Sequence, residues 1–380
     1  MSVDSSVSSS RFSSDVYASR LARAARLTSE AGLDALLITP GPDLQYLIGS
    51  KASSFERLIA LVVPADGRTP TVVVPRLELA ALGDSAAQEL SLTLVDWVDG
   101  VDPYALVASA VPGGTRTAVA DAMPALHFVP LAGVFGTVPV LATDVLRELR
   151  MVKDAAEIDA LRRAGHAIDR VHARMGEWLR VGRTEAQIAA DIAAAIVEEG
   201  HTAPEFIIVG SGPHGADPHH EVSDRVVEAG DVVVIDIGGP VAPGYNSDST
   251  RTYSLGEPSA EIAEQYAVLE RAQQAAVDAV VPGVTAQSID AAARDVLVDA
   301  GLGEAFLHRT GHGIGLSVHE EPYIVAGNDI TLTEGMAFSI EPGIYFRGQW
   351  GARIEDIVVV TADGCESVNL RPHGLAVLPV

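Results

Sequence analysis

Acidic residues lie inside three apolar, strand-like segments in the second half of this 380-residue chain, and no other feature restricts its fold as strongly. Asp236 interrupts "VVVIDIGG", Glu341 follows "MAFSI", and Glu355 lies in "RIEDIVVV". A buried, unpaired carboxylate is costly, or it changes its protonation state. The chain must therefore fold so that these three side chains meet a compensating charge.

A fourth acid and a histidine suggest what that charge is. Asp248 lies in "GYNSDSTRT", and His312 lies between two glycines in "RTGHGIGLSVHEEP". Four carboxylates brought together repel one another unless cations neutralise them, and two divalent ions carry the balancing charge. Oxygen ligands with one imidazole suit Mn²⁺, with Co²⁺ and Zn²⁺ as alternatives. Two such ions can hold a bridging hydroxide and polarise a carbonyl, which favours metal-assisted hydrolysis of an amide-like bond.

Charge and cysteine content exclude several classes of partner. The formal net charge of −25 argues against nucleic acid and anionic membranes, because both require a basic surface. The single cysteine, Cys365, permits neither a disulfide framework nor a thiolate zinc cluster within the chain. No apolar run approaches the length of a membrane span, and the serine-rich start lacks the apolar segment of a secretory signal. We therefore expect a cytoplasmic protein.

The pattern of apolar residues predicts a tail and two domains. Residues 1–14 are expected to be disordered, and residues 15–148 alternate helical and strand patterns as in an α/β domain. A boundary in 146–153 leads to a second domain, 149–380, which begins with one long helical pattern over 148–179, in which Asp154 and Glu157 are placed as a capping pair. Its predicted strands are "EFIIVG", "DVVVIDIGG", "MAFSIEPGIYF" and "RIEDIVVVT".

Four motifs together resemble a known enzyme family. In order, "IDIGG…GYNSDSTRT", "GHGIGLSVHEEP", "SIEPGIY" and "ARIEDIV" are similar to the proline-specific pita-bread metallopeptidases, Xaa-Pro dipeptidase (prolidase) and aminopeptidase P. The resemblance covers about residues 15–375 and includes the recurrent "DLQYLIG" of a creatinase-like N-terminal domain. It implies a two-domain α/β protein, in which a creatinase-like α/β domain precedes an α+β pita-bread catalytic domain.

The resemblance also implies roles for individual residues. Two divalent metal ions would be bound by five ligands: Asp236, Asp248, His312, Glu341 and Glu355. Asp248 and Glu355 would each bridge both ions. Four residues would act in catalysis, and Glu341 would carry the proton to the leaving proline nitrogen: His219, His319, Glu341 and Arg353. His219 and His319 would also contact the substrate, and His308 would line the proline side of the pocket.

One spacing departs from the family pattern. Asp236 and Asp248 are twelve positions apart, where the family more often has eleven. An extra residue inside a paired strand would turn one acid to the opposite face. Within the loop of "GGPVAPGYNS", or absorbed by a bulge, it would not, and we expect it in the loop.

Ordinary structural interpretations compete at several of these positions. Asp236 alone is compatible with a salt-bridged strand end, Asp248 with a turn cap, and Glu341 with a Pro-Gly turn. His312 could be a loop histidine, although close approach of the backbone to a ligand or metal explains its glycine neighbours better. Arg353 could simply pair with a ligand carboxylate.

Two pairs of neighbours each require a choice. Glu355 precedes Asp356, and period-two alternation lets only one of them face the site; the family match selects Glu355. His219 precedes His220, so one is expected at the surface, and the spacing from Asp236 favours His219 as the site residue.

The implied activity is hydrolysis of the Xaa-Pro bond in dipeptides or short peptides through a metal-bridging hydroxide, by a homodimer. Xaa-Pro dipeptidase is favoured over aminopeptidase P, and the proline preference rests on the resemblance. Two alternatives have the same fold: a metal-free creatinase-like amidinohydrolase and a non-catalytic binding protein. Both lack metal ligands, whereas this sequence keeps all five candidates.

Overall fold

The structure is a computed structural model that describes residues 11–53, 56–111, 113 and 116–380. The chain divides into two compact units, Met1–Arg150 and Met151–Val380. Of the predicted disordered tail, residues 1–10 lie outside the described residues, whereas Ser14 already begins the first helix. Phe12 packs against Tyr17 of that helix, with ring centroids 6.4 Å apart.

The first unit is built on a six-stranded mixed sheet in the order β4-β3-β2-β1-β5-β6. Its elements are α1 (Ser14–Glu30), β1 (Ala35–Ile38), α2 (Pro42–Ile48), β2 (Ala60–Pro64), β3 (Thr71–Pro75), β4 (Thr93–Trp97), α3 (Pro103–Ala110), β5 (Thr117–Val119), α4 (Ala125–Phe135), β6 (Val140–Leu141) and α5 (Thr143–Arg150). The central strands β1, β2 and β3 are buried along their whole length, which explains their continuous apolar runs. The predicted α/β domain is confirmed.

The second unit contains two larger sheets and a hairpin. Its helices are α6 (Ala155–Ala173), α7 (Glu185–Glu198), α8 (Ala260–Asp278) and α9 (Ala286–Asp299). Its strands are β7 (Phe206–Ser211), β8 (Val232–Val241), β9 (Tyr245–Leu255), β10 (Gly311–Gly313), β11 (Glu320–Ile324), β12 (Ala337–Ile340), β13 (Gly343–Phe346), β14 (Trp350–Arg353), β15 (Asp356–Val360), β16 (Cys365–Ser367) and β17 (Ala376–Leu378). The sheets have the orders β17-β9-β8-β7 and β11-β10-β12-β15-β16, beside the hairpin β13-β14.

Each of the two sheets packs against a pair of helices. Apolar side chains of α6 and α7, such as Ile168 and Ile192, form one core with Ile235 of β8. Residues of α8 and α9, such as Ala276 and Ile289, pack in a second core with strands β12 and β15. This arrangement confirms the predicted α+β catalytic domain. Within the described ranges, no helix is both long and apolar enough to cross a membrane.

The predicted single helix over 148–179 is wrong, because the chain leaves helical geometry between Arg150 and Ala155. Val152 forms a β-bridge with Met336 in this interval. The side chain of Asp154 then accepts a hydrogen bond from the backbone of Glu157, and the Glu157 side chain accepts one from the backbone of Asp154. The predicted capping pair is thus confirmed, but it starts a new helix and separates α5 from α6.

Two of the acids predicted inside strands lie instead between strands. Strand β12 ends before Glu341 and β13 begins after it, while β14 ends before Glu355 and β15 follows it. Strands β12 and β15 pair in one sheet, and β13 and β14 pair in the hairpin. Glu341 and Glu355 therefore lie on two adjacent chain segments that pass from the five-stranded sheet into the hairpin.

Candidate metal centre and active site

A cavity of about 680 Å³ in the second unit brings every predicted site residue together. Its wall comprises Glu205, Phe206, Ile208, Pro218, His219, Asp236, Asp248, His308, Arg309, His312, Val318, His319, Glu341, Arg353 and Glu355. The volume is in the range of small-molecule sites. Carboxylates, imidazoles and two guanidinium groups converge on one space.

The hairpin of β8 and β9 places the first two acids. Pairing runs without interruption from Val232 opposite Ser254 to Val241 opposite Tyr245, so that the turn residues 242–244 lie outside the paired strands. Asp248 pairs with Gly238, two residues after Asp236. Because residues two apart on a strand share a face, both carboxylates point to the same side of the hairpin. The twelve-residue spacing thus keeps the two acids on one face.

His312 lies at the centre of the short strand β10. A Cβ atom on Gly311 would lie 1.8 Å from the carbonyl oxygen of Ser339, and one on Gly313 would lie 2.2 Å from that of Glu321. Neighbouring backbone segments therefore require both glycines. This differs from the close approach to a ligand or metal that the sequence suggested.

The ring of His312 faces two of the acids. Its Nε2 atom is 3.2 Å from Oε1 of Glu341 and 3.6 Å from Oδ2 of Asp248. Ser339 donates a hydrogen bond of 2.9 Å from Oγ to the same Glu341 oxygen. On the opposite side, Thr250 donates a hydrogen bond of 2.7 Å to Oε2 of Glu355. Strands of both sheets thus contribute ligand-type atoms to one point.

The carboxylates of this group carry more negative charge than the neighbouring cations neutralise. Burial and the charge of Asp236 raise the pKa of Asp248 well above its usual value, and burial and the charge of Asp248 do the same for Glu355. The Oδ1 atom of Asp236 is buried without a hydrogen-bond donor. An unpartnered carboxylate oxygen beside mutually repelling acids is what divalent cations would satisfy, so these residues fit a metal centre.

His312 and Glu341 are the exception within the group. Burial acts to raise the pKa of Glu341, but the hydrogen bond and charge of His312 outweigh it and lower that pKa to about 2. Burial likewise acts to lower the pKa of His312, and the Glu341 carboxylate raises it instead. His312 and Glu341 thus favour each other's charged forms, and the charge of His312 also acts to lower the pKa of Asp248, although burial and Asp236 outweigh it there.

A chain of hydrogen bonds links Asp236 to His308. Arg353 donates to Oδ2 of Asp236 at 2.5 Å and to the hydroxyl of Tyr345 at 2.8 Å. The Tyr345 oxygen lies 2.8 Å from Nε2 of His308, whose Nδ1 is 2.7 Å from the carbonyl oxygen of Arg309. This geometry assigns the proton of His308 to Nδ1 and leaves Nε2 as the acceptor from Tyr345.

His319 and His219 complete the wall. The ring of His319 meets that of His312 edge to face, with centroids 4.1 Å apart. Burial, with the charges of His312 and Arg309, lowers the pKa of His319 to about 4, so it is neutral near pH 7. His219 lines the cavity, whereas His220 turns away and places Nε2 2.8 Å from Oε2 of Glu185. One of the two neighbours is exposed, as expected, but it is His219 at the cavity wall, whereas the side chain of His220 is largely buried.

Comparison with known proteins identifies the family of the chain. Residues 159–362 match metallopeptidase family M24, and residues 20–152 match the creatinase/prolidase N-terminal domain. The chain belongs to metallopeptidase family M24. It is 68% identical over 374 residues to a Mycobacterium bovis protein named probable dipeptidase PepE, covering 98% of this chain and 99% of that protein.

Other M24 relatives extend the likeness. The crystal structure of dipeptidase PepE from Mycobacterium ulcerans has a TM-score of 0.94 and 68% identity, covering 97% of this chain and all (100%) of that one. An Xaa-Pro dipeptidase of Lactobacillus delbrueckii subsp. lactis is 35% identical over 360 residues, covering 92% of this chain and 96% of that protein. The predicted family, pita-bread architecture and enzyme class are confirmed, and the chain is a metallopeptidase.

Several residues around this M24 site were missed from the sequence. Tyr345 links Arg353 to His308, yet one tyrosine in an apolar strand is ordinary. Glu185 contacts both His220 and His214, a histidine to which the sequence assigned no role. In each case the signal is a tertiary contact that neither spacing nor composition encodes.

Proposed function

We propose that this chain is an Xaa-Pro dipeptidase that uses two divalent metal ions. The observation that carries the proposal is the convergence of three buried carboxylates and the half-buried Glu341 with His312, while Oδ1 of Asp236 has no donor and the pKa values of Asp248 and Glu355 are raised. The proline preference is supported by the Lactobacillus relative, which is named an Xaa-Pro dipeptidase.

Five residues would hold the two ions: Asp236, Asp248, His312, Glu341 and Glu355. Bound divalent ions supply Lewis acidity toward a carbonyl oxygen and lower the pKa of water, which yields a hydroxide nucleophile near neutral pH. Family M24 implies divalent ions, and the oxygen-rich ligand set favours Mn²⁺ among them.

The remaining side chains would act on substrate and protons. His319, neutral near pH 7, can donate an N–H hydrogen bond to the oxyanion of the tetrahedral intermediate without a charged group being buried. His219 lies on the same cavity wall and would do the same from a second direction. Glu341 would take the proton of the attacking water and pass it to the proline nitrogen, which must be protonated as the C–N bond breaks. His308 would line the proline side.

Arg309 favours a dipeptide over a longer substrate. It lines the cavity, its guanidinium stacks 4.5 Å from the ring centroid of Tyr323, and its charge reaches His319. In the part of the chain that the structure describes, no carboxylate forms an ion pair with it, whereas the other cavity arginine, Arg353, is paired with Asp236. In an Xaa-Pro dipeptide, the proline that follows the scissile bond carries the free C-terminal carboxylate. We propose that Arg309 binds that carboxylate.

The first experiment separates the proposed activity from its alternatives. Chelated protein and Mn²⁺-loaded protein would each be given an Xaa-Pro dipeptide and an Xaa-Pro-Yaa tripeptide. Hydrolysis of the dipeptide alone, abolished by chelator and restored by Mn²⁺, is the expected result. Efficient tripeptide cleavage would instead indicate an aminopeptidase P. Hydrolysis that is indifferent to chelator, or absent, would contradict the metal-dependent mechanism.

A second experiment tests Arg309. The ratio of kcat/KM for an Xaa-Pro dipeptide to that for its Xaa-Pro amide should fall about 10- to 100-fold in Arg309→Met, because a charge-assisted hydrogen bond is lost. Arg347→Met removes an exposed arginine outside the cavity wall and should leave the ratio unchanged. An unchanged ratio in Arg309→Met would remove the argument for the dipeptide.

Three finer points stay predictions from the sequence: Mn²⁺ as the native metal, the homodimer and the cytoplasmic location. Metal analysis of the protein as purified and light scattering in solution would test the first two.

A further inference from the structure

A second group of titratable side chains lies outside the candidate metal centre, at the start of α7. Glu185 is the first residue of this helix, and its side chain is 0% exposed. Nδ1 of His214 is 3.1 Å from Oε1 of Glu185, and Nε2 of His220 is 2.8 Å from Oε2. Both histidines belong to the loop 211–223, which begins at Ser211, the last residue of β7, so one buried carboxylate contacts the interior of this loop twice.

The same carboxylate also binds both ends of the loop. Ser211 donates to Oε1 through its backbone N–H at 2.9 Å and its hydroxyl at 2.6 Å. Ser223 donates to Oε2 through its backbone N–H at 3.2 Å and its hydroxyl at 2.6 Å. Burial acts to raise the pKa of Glu185, but these hydroxyl donors and His220 lower it to about 2. Glu185 is therefore an ionised anchor for the whole loop.

This group could be mistaken for a metal site, because Glu185, His214 and His220 lie close enough to share one ion. The hydrogen bonds argue against that. An ionised carboxylate can only accept, so the ring nitrogens that face it must carry hydrogen and have no lone pair for a metal. Both oxygens already accept several donors. The arrangement serves to hold the loop.

The anchored loop carries part of the cavity wall. Pro218 and His219 line the cavity, and the carbonyl oxygen of Pro218 accepts a hydrogen bond from Arg353 at 3.4 Å. The imidazole of His219 makes no hydrogen bond to any residue that the structure describes, and only its backbone N–H is bonded, to Oδ1 of Asp217 at 3.1 Å. The place of that ring depends on the backbone of the loop.

We infer that Glu185 is a positioning residue for the reaction, which acts by holding the loop 211–223 so that the imidazole of His219 faces the substrate. His220 transmits this restraint most directly, because its ring is hydrogen-bonded to Glu185 while the preceding residue, His219, lines the cavity. The inference rests on the proposed function, since the substrate that His219 meets is the Xaa-Pro peptide.

The test is a double-mutant cycle on the Mn²⁺-loaded full chain with an Xaa-Pro dipeptide. Glu185→Gln keeps the shape of the side chain but removes its charge and one acceptor oxygen. Misplacing a catalytic group by about 1 Å can lower the reaction rate on the order of 100-fold. We therefore expect kcat/KM to fall about 10- to 100-fold, mainly through kcat. In a His219→Ala background, Glu185→Gln should lower kcat/KM by no more than about 3-fold, because the ring that Glu185 positions is absent.

Glu198→Gln is the matched control, since Glu198 lies on the same helix but at its other end, where it pairs with Arg174. It should leave kcat and KM unchanged in both backgrounds. An equal fall in kcat/KM on Glu185→Gln in the wild-type and His219→Ala backgrounds would overturn the inference. A His219→Ala variant with full activity would also overturn it. If Glu185→Gln does not fold, Ser223→Ala removes one donor and follows the same cycle.

A structural measurement keeps this inference separate from the proposed function. Wild-type protein that hydrolyses no Xaa-Pro peptide with Mn²⁺ would refute the proposed function. A crystal structure of Glu185→Gln would then decide the inference alone. Displacement of the His219 ring from the cavity would support it, and an unmoved loop would overturn it.

Discussion

Buried carboxylates lie at two places in the second unit, Glu185 alone at one and several acids together at the other, and their surroundings act on them in opposite ways. Glu185 accepts hydrogen bonds from two serines and two histidines, and its pKa is lowered to about 2. Asp248 and Glu355 face other acids, and their pKa values are raised. The same functional group is thus satisfied by the protein in one place and left unsatisfied in the other.

The difference shows which group needs an external cation. A carboxylate surrounded by N–H and O–H donors keeps its charge at low cost, because those donors replace the water it lost. Carboxylates that face one another hold their charge only if something positive enters. The first arrangement fixes a loop, and the second is suited to bind divalent ions.

The strongest test of this comparison is Asp248→Asn. We expect the variant to retain fewer divalent ions per chain and to lose more than about 100-fold in kcat/KM. Mutation of a residue that merely hydrogen-bonds a metal ligand already lowers metal affinity or activity by about 10- to 100-fold. Metal content by elemental analysis and kinetics on an Xaa-Pro dipeptide would measure both. Asp295→Asn, an exposed change on α9, should alter neither. Full metal content in Asp248→Asn would remove Asp248 from the ligand set.

Folding stability of the metal-free protein gives a second test, in which the two groups should have opposite pH dependences. The contribution of Glu185 is present above the ordinary carboxyl pKa of about 4.3 and is lost as the pH falls toward 2. Asp248 and Glu355 bind protons more tightly when folded, so the protein loses stability as the pH rises through their raised pKa values.

Urea unfolding followed by tryptophan fluorescence would measure this. In a Trp97→Phe background the remaining tryptophans, Trp178 and Trp350, both report on the second unit. Glu185→Gln should destabilise this unit by about 1–3 kcal/mol near neutral pH and by less as the pH falls. Asp248→Asn should gain stability relative to the parent as the pH rises. Parallel pH curves for both variants would refute the distinction.

The same comparison explains what the sequence could predict. The acids and His312 follow one another in motifs whose order resembles that of a known family, and that resemblance named all nine candidate residues, which the structure brings to one cavity. Glu185 could not be named, because a glutamate in the first turn of a helix is ordinary. Its donors lie 26 and 38 residues further along the chain.

Local patterns also failed where tertiary contacts interrupt them. The helical periodicity across 148–179 is continuous and its capping pair at Asp154 is visible in the sequence, yet the pairing of Val152 with Met336, which interrupts the helix before that cap, is not. Glu341 and Glu355 lie in apolar runs that indicate strands, yet the chain changes sheets at both acids. Periodicity reports which residues are buried, but not which sheet buries them.

The smallest expected effect concerns Asp236, the acid whose donor is a guanidinium group. Oδ2 of Asp236 accepts from Arg353, and Tyr345 holds that arginine by accepting from its Nη1 while donating to His308. Tyr345→Phe leaves both partners short of one hydrogen bond. We expect kcat/KM to fall about 3- to 10-fold with metal content unchanged, and stability to fall by about 1 kcal/mol.

Tyr253→Phe is the control that separates activity from stability. Its hydroxyl lies 2.9 Å from Nδ1 of His172 in the core, away from the cavity wall, so its loss should cost similar stability and no activity. If both variants lose the same stability and only Tyr345→Phe loses activity, the hydroxyl acts through the orientation of Arg353 and His308. If Tyr345→Phe and Tyr253→Phe are equally active, Asp236 is held in place without Tyr345, and ion binding alone orders this side of the cavity.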